Sequence, residues 1–259
     1  MLFLPRGRMN RRTESICRIL ITDYGNLKEK QAVVEVVIAV FDLEGTLCRV
    51  GGLLWRELIK RQLGRRRGLV RVVAHVVYQV LLALLYRARL INTRRARLTI
   101  TKDLASLFKA LHQEQFEQVC EVISGKLIAR LRPDIHAILE AHRQQGHKVI
   151  LTSGMFQPFL EALGRRLGVD FSLGTKLEKK GSYYTGHLSG PVCFDEQRVS
   201  MLRERIRQAG LEVDLGRSYA YGDTIGDKPV LEMVGNPVAV YPDSQLRAHA
   251  QEQGWKIIG

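Results

Sequence analysis

The apolar run Val36-Val37-Ile38-Ala39-Val40-Phe41 leads straight into Asp42-Leu43-Glu44-Gly45-Thr46. A short run rich in β-branched residues predicts a buried strand. Ending such a strand in acids is costly unless the acids hold something. Side chains two apart on an extended segment share a face, so Asp42 and Glu44 converge at the strand's carboxyl end. Gly45 lets the backbone turn sharply, with the Thr46 hydroxyl beside it. An acidic turn would account for this stretch alone. Two carboxylates, a glycine and a hydroxyl also suit a hard cation and a nucleophile.

A second stretch repeats the layout. Ser218-Tyr219-Ala220-Tyr221 predicts a short strand, and Gly222-Asp223-Thr224-Ile225-Gly226-Asp227 follows it. Asp223 and Asp227 are four apart, so a helical turn puts both on one side. Lys228-Pro229 suits a helix start. A helix cap explains one Asp but not the repeat. Two weaker pieces fit the same site. Val149-Ile150-Leu151-Thr152-Ser153-Gly154 is a third apolar strand, ending in hydroxyls and a glycine that can hold phosphate oxygens. Arg198 stands near the start of a helical pattern (Val199, Leu202, Ile206), where a cation neutralises phosphate and crowded carboxylates.

Strands expected at Val36–Phe41, Val149–Ser153, Ser218–Tyr221 and Val238–Tyr241 alternate with helical patterns. That alternation predicts an α/β fold, a doubly wound parallel sheet with helices on both faces. Ligand sites in such sheets lie at the carboxyl ends of the strands, where these motifs sit. A chain of 259 residues supports one sizeable core plus an inserted subdomain.

The four pieces, in this order, resemble the haloacid dehalogenase superfamily, in the subfamily that contains phosphoserine phosphatase. The tail Val238-Ala239-Val240-Tyr241-Pro242-Asp243 with Gly254-Trp255 extends the likeness. The resemblance implies a magnesium-dependent phosphomonoester hydrolase working through an aspartyl-phosphate. Asp42 is then the nucleophile and Glu44 the acid and base. Asp42, Glu44 (through its backbone carbonyl), Asp223 and Asp227 are the metal set, with Asp227 binding or orienting. Thr46, Ser153, Gly154 and Arg198 hold the phosphoryl group. The family's usual acid/base is Asp; Glu44 moves the carboxyl by about one bond length. Its third motif often carries Lys, where Arg198 keeps the charge with a different geometry.

The resemblance divides the chain into a loosely ordered extension over residues 1–35, a catalytic core over 36–48 and 147–259, and a helical cap over 49–146. The extension is basic (Arg6, Arg8, Arg11, Arg12), with no long apolar region behind it, so it does not read as a signal peptide. Within the cap, Leu69 to Tyr86 is nearly all apolar, with Arg71, His75 and Gln79 recurring every four residues. This predicts a helix with a narrow polar stripe and a broad apolar face. That face either packs on neighbouring helices or meets a membrane or an apolar substrate tail. Arg65–Arg67 precede it, and Arg87, Arg89, Arg94, Arg95 and Arg97 follow, in a chain of net charge +14. An anionic partner fits that charge. No zinc-finger spacing or RNP-type aromatic motif supports nucleic acid, whereas an anionic membrane surface suits cations beside an apolar helix.

Cys17, Cys48, Cys120 and Cys193 form no Cys-x-x-Cys pair, which argues against zinc and redox roles and for a reduced, cytoplasmic setting, with membrane association as the variant. Phe171–Leu188 predicts a hairpin turning near Lys180-Gly181-Ser182. Free phosphoserine needs an acid for its amine; Glu57 is the only acid near the first motif and does not match the expected place. The leading expectation is therefore hydrolysis of a small phosphorylated metabolite. The alternatives are a lipid-headgroup phosphatase at an anionic surface, and a phosphotransferase or binding module with weak hydrolysis.

Overall fold

The computed structural model describes residues 35–49, 73, 76–78, 80–81, 84 and 93–259. Most of the basic extension, together with Glu57, Arg65–Arg67, Arg71, His75 and Gln79, lies outside the described residues.

The sheet begins at β1 (Ile38–Asp42), buried at every position. Its alternate side chains separate onto two faces. Ala39 and Phe41 enter one apolar cluster, Ile38 and Val40 the other. A strand apolar on both faces is what a parallel sheet covered by two helical layers requires. Among the described residues six strands form the main sheet: β1, β2 (Lys148–Phe156), β3 (Phe171–Thr175), β6 (Tyr219–Gly222), β7 (Asn236–Val240) and β8 (Lys256–Ile258), in the order β3-β2-β1-β6-β7-β8. Every pairing in this sheet is parallel. Asp42 pairs with Thr152, and Phe41 with both Leu151 and Tyr221.

Helices cover both faces. Following β1 come α1 (Thr93–Ser106), α2 (Gln113–Ile128) and α3 (Pro133–Gln144), then α4 (Gln157–Leu167) after β2. Phe116, Ile123, Ile135, Leu139, Phe159 and Leu163 from α2, α3 and α4 pack with Phe41 and Leu151. The opposite face is closed by α5 (Asp195–Gln208), α6 (Lys228–Leu231) and α7 (Ser244–Glu252), through Leu202, Leu231 and Leu246 against Val40 and Ile150. The local signals match these ends. Pro133 occupies the first turn of α3, and Gly168 closes α4 in the left-handed region. Asp243 caps α7, accepting from the Leu246 N–H at 2.7 Å.

The hairpin expected over Phe171–Leu188 is shorter than that. β4 (Leu177–Lys180) and β5 (Tyr183–Leu188) form it, turning at Gly181 with φ 59°. Phe171–Thr175 instead joins the main sheet beside β2. The cause is apolar: Leu173 is buried, and Phe171 packs in the same cluster as Val40 and Ile150. Among the described residues, no helix is long and apolar enough to cross a membrane.

Candidate active site

The strand order changes direction between β1 and β6, so their carboxyl ends flank the crevice where open α/β sheets bind ligands. Both acidic motifs leave the sheet there. After Asp42 the chain folds into a tight loop, with Gly45 N–H donating to the Cys48 carbonyl and Leu47 N–H to that of Leu43. Gly45 has φ +85°, and a Cβ there would lie 1.9 Å from Asp223 Oδ2. The two motifs therefore pack backbone against carboxylate, a contact only glycine permits.

After β6, a 3-10 turn at Ile225–Asp227 folds Asp227 back on its own loop. Its Oδ2 accepts from the Asp223 N–H at 3.1 Å, the Thr224 N–H at 2.9 Å and the Thr224 hydroxyl at 3.1 Å. Its Oδ1 accepts from Arg198 Nη1 at 2.5 Å. The spacing of four does bring Asp223 and Asp227 together, through a cap rather than a regular helical face.

Arg198, on the first turns of α5, is buried, and the same Nη1 lies 3.0 Å from Asp42 Oδ1. Its Nε is buried with no hydrogen-bond partner among the described residues. A buried donor of this kind needs an acceptor, and a tetrahedral oxyanion supplies one. Although burial alone would lower it, the Arg198 pKa is raised by Asp227 and Asp42.

Carboxylate oxygens of Asp42, Asp223 and Asp227 come within 4.8 Å of one another. Burial raises the Asp42 pKa well above the usual range, Asp227 adds to this, and Arg198 opposes it. Burial, then Asp227, pushes Asp223 up to about 7. Carboxylates in this condition are short of positive charge. An all-oxygen donor set with a net negative balance fits a hard divalent cation such as magnesium.

Glu44 lines the same cleft with its tip open to it. Crowding by the protein on its other sides raises its pKa, against the pull of Arg198 and Arg97. Gly154 also lines the cleft. Two expected phosphate contacts lie elsewhere. The Thr46 hydroxyl is fully buried and donates to Asp223 Oδ1 at 3.2 Å. Ser153 is buried, and its Oγ accepts from the Met155 N–H at 3.0 Å. Both hydroxyls brace the loops that carry the site, and neither lies on the cleft wall.

The cleft has a volume of about 320 Å³. Its outer wall comes from α1 (Arg97, Ile100, Thr101, Leu104) and its sides from Met155, Phe156 and Phe194. Sequence patterning flagged Arg97 only as part of a basic cluster. Arg132 was missed altogether. Its Nε donates to the Gly45 carbonyl at 3.1 Å, and its guanidinium sits 3.9 Å from the centre of the Tyr241 ring. An Arg before a Pro-started helix carries no local sign of such a role. The three described cysteines, Cys48, Cys120 and Cys193, are free and buried.

The profile of the haloacid dehalogenase-like hydrolases matches residues 39–232, a span that holds every residue of this site. The chain is 27% identical over 157 residues to a histidinol-phosphatase of Neisseria meningitidis, covering 60% of this chain and 71% of that protein. It is 32% identical over 148 residues to a phosphoserine phosphatase of Mycobacterium tuberculosis, covering 57% of this chain. That match spans only 45% of the mycobacterial protein. A solved protein of unknown function from Bordetella pertussis shares the fold, with a TM-score of 0.70 at 24% identity, over 87% of this chain and 99% of that one. With the acidic loops at the strand ends, the switch-point crevice and the matched span in agreement, the chain belongs to the haloacid dehalogenase-like hydrolases.

Proposed function

We propose that this phosphatase is a magnesium-dependent phosphomonoesterase working through an aspartyl-phosphate on Asp42. The observation that carries the reading is the single nitrogen of Arg198 held between Asp42 at 3.0 Å and Asp227 at 2.5 Å, with its buried Nε left to receive an anion. Asp42, Asp223, Asp227 and the backbone carbonyl of Glu44 would hold magnesium, which supplies charge neutralisation for the approach of one anion to another.

In the first step an Asp42 carboxylate oxygen attacks phosphorus, and the bond from phosphorus to the ester oxygen breaks. Glu44 gives its proton to the departing alkoxide. Its raised pKa favours the protonated form this needs. In the second step Glu44 takes a proton from water, the water oxygen attacks phosphorus, and the aspartyl bond breaks to release phosphate and restore Asp42. Arg198 orients the phosphoryl oxygens throughout, with Gly154 as a backbone contact. Thr46 and Ser153 act indirectly, by holding Asp223 and the loop after β2. Within the span expected to form the cap, α1 supplies the outer wall of the cleft.

The substrate is a small phosphorylated metabolite, of the class on which the phosphatase-named relatives act. Among the described residues, the acids lining the cleft are Asp42, Glu44, Asp223 and Asp227. The outer wall offers Arg97, Thr101 and apolar side chains. Among the described residues that wall carries no acid to meet a substrate amine.

Phosphate release from a generic aryl phosphate tests the reading. It should require magnesium and fall by roughly a thousandfold or more in Asp42→Asn, the scale of losing a covalent nucleophile. Wild-type protein inactive across a broad panel of phosphate esters, or Asp42→Asn at wild-type rate, would sink it.

A further inference from the structure

Seven residues are described between Arg49 and α1: Val73, Val76, Val77, Tyr78, Val80, Leu81 and Leu84. All are helical and all are exposed, by 39% at Tyr78 up to 62% at Val77. Apart from Tyr78, they fall at i, i+3, i+4, i+7, i+8 and i+11 from Val73, which is one face of a helix. A helix of a globular protein turns that face to the core. Here it faces outward, and a contiguous exposed apolar stripe marks a contact surface.

The charge around the stripe selects what it contacts. From Leu58 to Lys102 the sequence holds twelve Lys or Arg and no Asp or Glu, in a chain whose whole net charge is +14. A second copy would match the aliphatic side chains but would bring the same cations against themselves. Nucleic acid would match the cations and leave valine and leucine in water. An anionic bilayer answers both, with phosphates at its surface and hydrocarbon just beneath. In the sequence Arg71, His75 and Gln79 interrupt the apolar run every four residues, the pattern of a helix that lies along a surface.

We infer that this stripe docks the protein on an anionic lipid bilayer, with Val73, Val77, Leu81 and Leu84 in the boundary between headgroups and acyl chains. The inference is read by binding alone, so it stands or falls separately from the phosphatase reading.

Flotation of the full chain with vesicles tests it. Vesicles of equal parts phosphatidylglycerol and phosphatidylcholine should carry at least about tenfold more protein than phosphatidylcholine alone. The double variant Val77→Asp/Leu81→Asp should lose about tenfold in binding. Its far-ultraviolet circular dichroism and urea midpoint should match the wild type, which reports that it folds. Should it fail to fold, Arg65→Gln/Arg66→Gln/Arg67→Gln replaces it, with the same loss expected for anionic vesicles. Equal flotation with both vesicle types overturns the inference, as does binding that a folded variant leaves undiminished. A wild-type dimer that Val77→Asp/Leu81→Asp dissociates, with no vesicle binding, overturns it in favour of a second copy.

Discussion

Gly45 and Asp223 are packed so closely that a methyl group on the glycine would sit 1.9 Å from the carboxylate oxygen. Gly45→Ala therefore displaces Asp223 and also strains a backbone at φ +85°. We expect a loss of stability of about 1–3 kcal/mol. Magnesium-dependent phosphate release should fall on the order of a hundredfold, because displaced groups of about an ångström are that costly. Chemical denaturation and initial rates check the two parts separately.

Arg198 neutralises two buried acids at once. Arg198→Met leaves Asp42 and Asp227 unpaired, and should destabilise by roughly 3–5 kcal/mol at neutral pH. The loss should shrink in mildly acidic buffer, where Asp42, its pKa raised by burial, takes up a proton. Arg198→Lys keeps the charge but lacks the fork, so it should fold while turning over about tenfold to a hundredfold more slowly. Urea titrations at two pH values, with rates for the Lys variant, provide the check.

Thr46 holds Asp223 in its ionised form through the 3.2 Å hydrogen bond. Asp223 already titrates near neutrality, pushed up to about 7 by burial and then Asp227. Removing the bond in Thr46→Val should raise it further and weaken metal binding by about tenfold, the worth of a hydrogen bond to a charge. The defect should narrow in alkaline buffer, where Asp223 is ionised in either protein. Magnesium dependence of the rate at two pH values measures this.

His142 joins α3 to the sheet, with Nε2 2.8 Å from the Tyr221 hydroxyl and Nδ1 2.7 Å from His147 Nδ1. Burial, then His147, lowers its pKa to about 4 from an ordinary 6.5. Between those values the unfolded chain binds more protons than the folded one, so stability rises with pH across that window. Acidifying from pH 7 to 4 should remove up to about 3 kcal/mol through this group. In His142→Gln that part of the pH dependence should vanish, as followed by urea denaturation over the range.

The parts of the molecule that the sequence made legible are those dictated by local pattern. β1 and the end of β6 are short apolar runs closed by glycine and acid, and they fold as the pattern predicts. Arg198 was found through the family likeness, because a surface arginine and a buried one look alike in a linear sequence. The hydroxyl of Thr46 was expected on phosphate and instead braces Asp223, which depends on how two loops 177 residues apart pack. β3 was assigned to a hairpin running to Leu188, with its turn near Lys180-Gly181-Ser182. Its place in the main sheet is decided by Phe171 and Leu173 finding a core that no local window contains. β8 is only three residues long, too short for any periodicity to register.

The central position of β1 carries a consequence for biosynthesis. β1 is made long before one of its two partners, β6, which begins at Tyr219. While those residues are still inside the ribosome, the nascent sheet has a bare apolar flank and Asp42 lacks Asp223 and Asp227. The nascent chain thus carries an unpaired strand edge until β6 has been translated.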